Sequence, residues 1–267
     1  MDDHSRQSFL NPQLDRAMKA CKVGVIGLSG GGSHIVTQLA HYGFDRYVLC
    51  DPKTTERKHL HRMLGATIAD AEASAPKVEV MERLIRGLRP HPEIQAFKGE
   101  WISCAAALKD CDVLFAAVDT VGARRDIEQF ARKYAIALID VGMDVSRAND
   151  GGYRVAGRVF ASLPGGPCMQ CAGFINNDML AKEAAAYGMA GIRPQVVSVN
   201  GVVASAAVLY AIDLLTGKTG KVALPCFITF DAGSMTMGPH PYLSVVTSPC
   251  ECFSSSEIGD ARFVPIG

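Results

Sequence analysis

What the chain lacks narrows its class first. Lysine and arginine number 27 together, as do aspartate and glutamate, so the formal net charge is zero. There is no basic run to grip nucleic acid, and no acidic tail. No internal repeat, low-complexity tract or linker divides the sequence, so solenoids and tethered modules drop out. No apolar stretch is expected to reach the roughly 18 residues of a membrane-spanning helix. The first residues, Met1 to Gln7, are polar and carry no apolar segment of a secretory signal. The expectation is a cytoplasmic protein with neither nucleic acid nor membrane as a partner. Nine cysteines is an odd count for a disulfide framework. Cys50, Cys111 and Cys226 lie in or beside apolar runs, as buried thiols do.

What is present centres on Val23–Val36. A short β-branched run ends in a glycine cluster, Gly27, Ser29, Gly30, Gly31 and Gly32, before an apolar-periodic stretch. That pattern predicts strand, tight turn and helix. Glycine lets the backbone approach a ligand, and the first helical turn offers unpaired N–H groups to an anion such as phosphate. The next apolar run, Tyr47–Cys50, ends in Asp51, where nucleotide-binding folds place a ribose-binding acid. The dinucleotide pattern is imperfect, because Ser29 stands at the middle glycine. The same turn also serves simply to pack a helix on a strand.

Along the chain, residues 8–22 carry Leu10, Leu14, Ala17 and Met18 at helical spacing. After Asp51, a polar and basic loop runs to Arg62, where an open α/β sheet binds its ligand. Its cations can pair with phosphates or simply face solvent. Pro76-Lys77 opens an amphipathic helix, Val78 to Leu88, and Ile94–Phe97 suggests a strand. Asp112–Asp119 is predicted as a buried parallel strand ending in an acid. Asp119 there suits Mg²⁺ on a nucleotide, or a helix N-cap. A helix from Arg124 to about Tyr134 and strands at Ile136–Gly142 and Tyr153–Ala161 follow. Strands alternating with helices predict a doubly wound, Rossmann-like, mostly parallel α/β sheet. A crossing segment, 173–194, includes a helical piece around Met179–Tyr187. Val196–Leu215 is apolar almost all round, as a helix in the core or at a subunit interface would be. Cys226–Phe230 and Leu243–Val246 are predicted late strands, and the tail is polar.

Cys168-x-x-Cys171 and the distant Cys250-x-Cys252 form two close pairs. Four thiolates in two pairs suit a tetrahedral structural Zn²⁺ site. A redox pair or unpaired thiols are the rivals, although no thioredoxin-like pattern surrounds them.

The order of these signals resembles the ThiF/MoeB/HesA family over about residues 5–252. The matching residues are Arg6-Gln7; Gly27, Gly30 and Gly32; Asp51; Leu60 and Arg62; Pro76-Lys77; Asp119 and Arg124; and Cys168 and Cys171. Ser29 and His59 depart from the family pattern, the late cysteine pair is one residue shorter, and no cysteine lies between Cys171 and Cys226. The resemblance implies one adenylation domain over 1–267: an N-terminal arm (1–22), a nucleotide-binding half (23–165), and a zinc and protein-substrate half (166–267).

It further implies ATP-dependent adenylation of the C-terminal glycine of a small ubiquitin-like protein. Arg6, Arg62, Lys77 and Asp119 would be catalytic, with Arg6 reaching the nucleotide of a neighbouring subunit in a homodimer. Gly27, Ser29, Gly30, Gly31, Gly32, Asp51, Arg62, Lys77, Asp119 and Arg124 would bind ATP. Asp119 would hold Mg²⁺, and Cys168, Cys171, Cys250 and Cys252 would hold Zn²⁺. Two other readings share the strand, turn and Asp51: an NAD(P)-dependent oxidoreductase and a non-catalytic nucleotide-binding dimer scaffold.

Overall fold

The computed structural model describes residues 14–147, 151–185, 195–217, 225–245, 250, 252 and 253. Its centre is one eight-stranded sheet in the order β3-β2-β1-β4-β5-β6-β7-β8. The β-branched runs supply β1 (Lys22–Ile26), β2 (Arg46–Cys50) and β4 (Val113–Ala116), while β3 (Glu93–Phe97) forms the edge. These four and β5 (Ala137–Arg147) pair in parallel. β6 (Tyr153–Ser162), β7 (Phe227–Asp231) and β8 (Thr236–Pro239) continue the sheet antiparallel. The predicted fold class is therefore present. All four residues of β4 are buried, as a parallel strand between two layers requires.

The helices form the two covering layers. α1 (Leu14–Ala20), α2 (Gly30–Tyr42), α4 (Lys77–Leu88) and α8 (Val197–Thr216) bury their apolar faces in one core with Val23, Val25, Phe115 and Ile139. α5 (Ala105–Leu108) and α6 (Val121–Lys133) contribute to the other, around Leu114, Phe160 and Phe174. Short α3 (Ile68–Glu72) and α7 (Asn177–Ala185) complete the α-helices among the described residues. The amphipathic stripe of α4 is seated through Val78, Val80, Met81 and Ile85.

Four local expectations change. Leu243 is not in a strand: Pro241–Val245 winds as a 3₁₀ turn, with Leu243 N–H donating to His240 O at 3.0 Å. Val246 lies outside the described residues. The last strand among the described residues is instead Thr236–Pro239, an edge strand whose terminal proline needs no ladder donor. β4 stops at Ala116, so Asp119 lies in the following loop rather than in the strand. The N-cap of α6 is Thr120, whose hydroxyl accepts from Ala123 N–H at 3.3 Å, and not Asp119.

The fourth concerns the apolar run 197–216. α8 has the 20 residues and mean hydropathy, 1.7, of a spanning helix by length and composition, contrary to the sequence expectation. Its serines and Asn200 interrupt the run without lowering the average. Half of it is buried, with Val203, Ala204, Ala207, Val208 and Ala211 in the core beside α2 residues. The predicted helices at 8–22 and 179–187 are described over Leu14–Ala20 and Asn177–Ala185. The flanks at 8–13 and 186–187 lie outside the described residues.

Candidate active site

The sheet order reverses at β1, so its carboxyl end opens between β2 and β4, where such folds bind ligands. Gly27 makes the turn at φ +85°, and a Cβ there would come within 2.6 Å of Ala117 O. Gly32 is packed tighter, since its Cβ would sit 1.8 Å from Gly27 O. Only glycine permits this closure. α2 then begins at Gly30, and Ser29 caps it with no side-chain bond. Ser33, one turn on, ties the region down: its hydroxyl donates to Gly30 O and accepts from Leu64 N–H, both at 3.0 Å.

Asp51, at the end of β2, is buried and holds the turn from the other side. One carboxylate oxygen accepts from Leu28 N–H and the other from Lys53 N–H, each at 2.8 Å. Lys77 Nζ lies 3.9 Å from Asp51, with both side chains almost fully enclosed. Burial, then the neighbouring Lys53 and Arg62, holds the Lys77 ammonium below its ordinary pKa despite the attraction of Asp51. Arg62 approaches from the basic loop, with Nε 3.4 Å from Ser29 Oγ. Asp119 arrives from the loop after β4, and Lys53 Nζ pairs with it at 3.2 Å.

Three cations and two carboxylates thus surround one glycine turn. The cationic excess suits an anion, and the buried ammonium can be neutralised by one. Lys53 went unnamed among the sequence candidates. Its signal was position alone, two residues beyond Asp51 in the basic loop.

Arg124, a predicted nucleotide ligand, and His59, a departure from the family pattern, both have partners within the protein. The buried Arg124 guanidinium bonds Asp140, Val141 O and Val118 O, so it fixes the loop that carries Asp119. Burial pushes the Asp140 carboxyl up to about 6, against the pull of Arg124 and Arg158. His59, at the position where the sequence departs from the family pattern, is buried. Its Nδ1 accepts from Glu56 N–H at 2.9 Å. Desolvation, then Lys77 and Arg62, pushes its pKa down to about 4, so the ring stays neutral near pH 7. Glu183 of α7 accepts from Val121 and Gly122 N–H at 3.0 and 2.9 Å. A segment of low periodicity therefore supplies a carboxylate to the first turn of α6. Arg6 lies outside the described residues.

The four cysteines meet although the two pairs are far apart in sequence. Their sulfurs all lie within 4.8 Å of one another. Cys171 Sγ is 3.6 Å from Cys250 Sγ and 3.5 Å from Cys252 Sγ. Zinc–sulfur bonds of about 2.3 Å in a tetrahedron place sulfurs roughly 3.8 Å apart, so the cluster fits that ion. α6 braces the loop behind it. Glu128 accepts from Met169 N–H at 2.9 Å, and Arg132 donates to Gly166 O and Pro167 O at 3.2 and 2.6 Å.

The class defined by this fold and turn is a Rossmann-like α/β protein with a cation-rich crevice at its switch point. The sequence profile of the ThiF family matches residues 4–252, and the chain belongs to that family. It is similar to the SAMP-activating enzyme E1 of Haloferax volcanii, at 23% identity over 248 residues, 91% of this chain and 85% of that protein. It is also similar to the molybdopterin-synthase adenylyltransferase of Escherichia coli, at 26% identity over 220 residues, 81% of each. Among solved structures, E. coli MccB with ATP aligns at TM-score 0.72 and 15% identity, covering 90% of this chain and 71% of that one. PaaA aligns at 0.68 and 17%, covering 89% and 81%. These two likenesses show a shared fold.

Proposed function

We propose that this chain is an adenylyltransferase that activates the C-terminal carboxylate of a small ubiquitin-like protein with ATP. The carrying observation is the convergence of Lys53, Arg62, Lys77 and Asp119 on the glycine turn of a ThiF-family chain. The named activities of its two relatives support the same reaction class.

In the proposed reaction, a substrate carboxylate oxygen forms a bond to the α-phosphorus of ATP. The bond from that phosphorus to the bridging oxygen of the β-phosphate breaks, and pyrophosphate leaves. The carboxylate is already a nucleophile, so no protein base is required. The chain's task is to hold two anions together and to balance charge at the transferring phosphorus. The turn at Gly27, Ser29, Gly30, Gly31 and Gly32 cradles phosphate, and Asp51 faces the ribose while bracing the turn. Lys77 and Arg62 clamp phosphates, and Arg124 positions the Asp119 loop. Asp119 is the group that would hold Mg²⁺, which usually takes one or two carboxylates plus substrate phosphates and supplies charge neutralisation there. Cys168, Cys171, Cys250 and Cys252 would hold a structural Zn²⁺ that ties the late tail to the crossing segment. The chain is proposed to act as a single unit in a cytoplasmic homodimer. Arg6 would reach the partner's nucleotide, and the exposed side chains of α8, Leu209 and Leu214, would contribute to the interface.

Calorimetric titration with Mg²⁺–ATP and with NAD(H) tests the ligand. Tight ATP binding and weak NAD(H) binding are expected, and the reverse would give the site to an oxidoreductase. ATP–pyrophosphate exchange, driven by candidate ubiquitin-like proteins, tests the reaction. Asp119→Ala should lower exchange on the order of 100-fold or more while the protein stays folded. Unchanged exchange would remove Asp119 from the chemistry.

A further inference from the structure

Asn200 lies in the first turn of α8 and is only 4% exposed. Its side-chain Nδ2 has no hydrogen-bond partner among the described residues. Buried amide donors are rarely left so, because removing an N–H from water without replacing its partner is unfavourable. The position of this donor is informative. A Cβ on Gly30, the first residue of the 13-residue helix α2, would come within 2.3 Å of Asn200 Nδ2. The amide therefore stands directly against the glycine turn, at the helix end whose N–H groups attract anions. Gln195 Oε1 is near the same point, 2.9 Å from that Cβ position, and it too lacks a partner.

We propose that Asn200 Nδ2 is a ligand for the phosphate chain of the nucleotide bound at the turn, supplied by α8 rather than by the loops that carry the other site residues. The inference rests on the nucleotide reading above. The NH₂ group has two hydrogens. One of them donates to a phosphate oxygen, while Gln195 Oε1 lies beside the same Gly30 position without bonding the amide. Asn200 thus joins the N–H groups of the first turn of α2 as a neutral donor, beside the charged Arg62 and Lys77. Gly30 is the residue that makes the approach possible, since any side chain there would displace the amide.

The test uses the full chain and two probes, the non-hydrolysable ATP analogue AMPCPP and adenosine, which has no phosphate. Asn200→Ala should weaken AMPCPP binding about tenfold or more, the scale of a lost hydrogen bond to a charged group. Asn200→Asp, nearly the same shape, should weaken it further by repelling phosphate. Adenosine affinity should be equal in all three proteins. If Asn200→Ala does not fold, the isosteric Asp variant alone decides. Equal AMPCPP affinity in wild type and variant overturns the proposal, and so does a parallel loss of adenosine affinity, which would mark a structural role. Failure of the wild-type protein to bind AMPCPP would instead sink the nucleotide reading and the proposal with it.

Discussion

Lys77→Met tests the electrostatic logic of the site most directly. Lys77 Nζ and Asp51 are 3.9 Å apart and buried. At an effective dielectric near 20, two unit charges at that distance attract by about 4 kcal/mol. Taking an ammonium out of water costs several kcal/mol, and Lys53 and Arg62 add repulsion. The lowered Lys77 pKa says which side wins: in the ligand-free protein, burial and repulsion exceed the pull of Asp51. Losing the charge should therefore not destabilise the empty protein. Asp51 would keep its two N–H bonds, from Leu28 and Lys53.

The melting temperature of ligand-free Lys77→Met should stay within about 3 °C of wild type or rise, an allowance of roughly 1 kcal/mol for a chain of this size. Pyrophosphate exchange should fall on the order of 100-fold, because a clamp on developing charge is gone, and AMPCPP affinity about tenfold or more, because a hydrogen bond to a charged phosphate is lost. The pH dependence has a definite sign. A lysine with a folded pKa below its unfolded value, about 10.4, binds fewer protons when folded. Wild type should thus gain stability relative to Lys77→Met as pH rises through the lowered pKa towards 10.4. Thermal melts across alkaline pH and calorimetry with AMPCPP supply the data. A ligand-free melting temperature more than about 5 °C lower, with unchanged AMPCPP binding, would show that Lys77 is a structural partner of Asp51 and refute the reasoning.

Gly32→Ala should destabilise by about 1–3 kcal/mol or more, since its Cβ would fall 1.8 Å from Gly27 O; chemical denaturation measures this. Protein purified without chelator should contain close to one Zn²⁺ per chain by elemental analysis, and chelation should lower its melting temperature. Absence of zinc, with rapid selective alkylation of Cys171, would make that thiol a nucleophile instead. Asp70 is held well below the carboxylate range by two bonds from Arg83, at 2.6 and 2.7 Å, and by Thr67. Its contribution is present above the unfolded pKa, about 3.9, and is lost as pH falls further. Asp70→Asn should cost about 1 kcal/mol near pH 7, reduced by the half-exposed Arg83, and the gap to wild type should close towards pH 2.

Much of this molecule was legible in one dimension because its signals are local. The β-branched run before Gly27, the amphipathic stripe of α4 and the apolar length of α8 depend only on neighbours a few residues away. The same holds for Asp51, whose place at a strand end follows from the run before it. Where a residue's fate is decided by distant partners, the sequence was silent. In the basic loop after Asp51 the family resemblance pointed to Arg62, and nothing local marked Lys53 or the partners these two cations would meet. The sheet decided this by bringing Lys53 to Asp119 and Arg62 to Ser29. Thr236–Pro239 has no alternation of its own and becomes a strand only because β7 offers an open edge. Asn200 reads as one polar residue in an apolar helix, and only the packing of α8 beside α2 sets its amide against Gly30. The periodicity of a segment chooses its local form, since that form is fixed by hydrogen bonds and burial within a few residues. The pairing of charges and donors across the crevice is fixed by how the sheet twists and the layers pack, and that is a property of the whole chain.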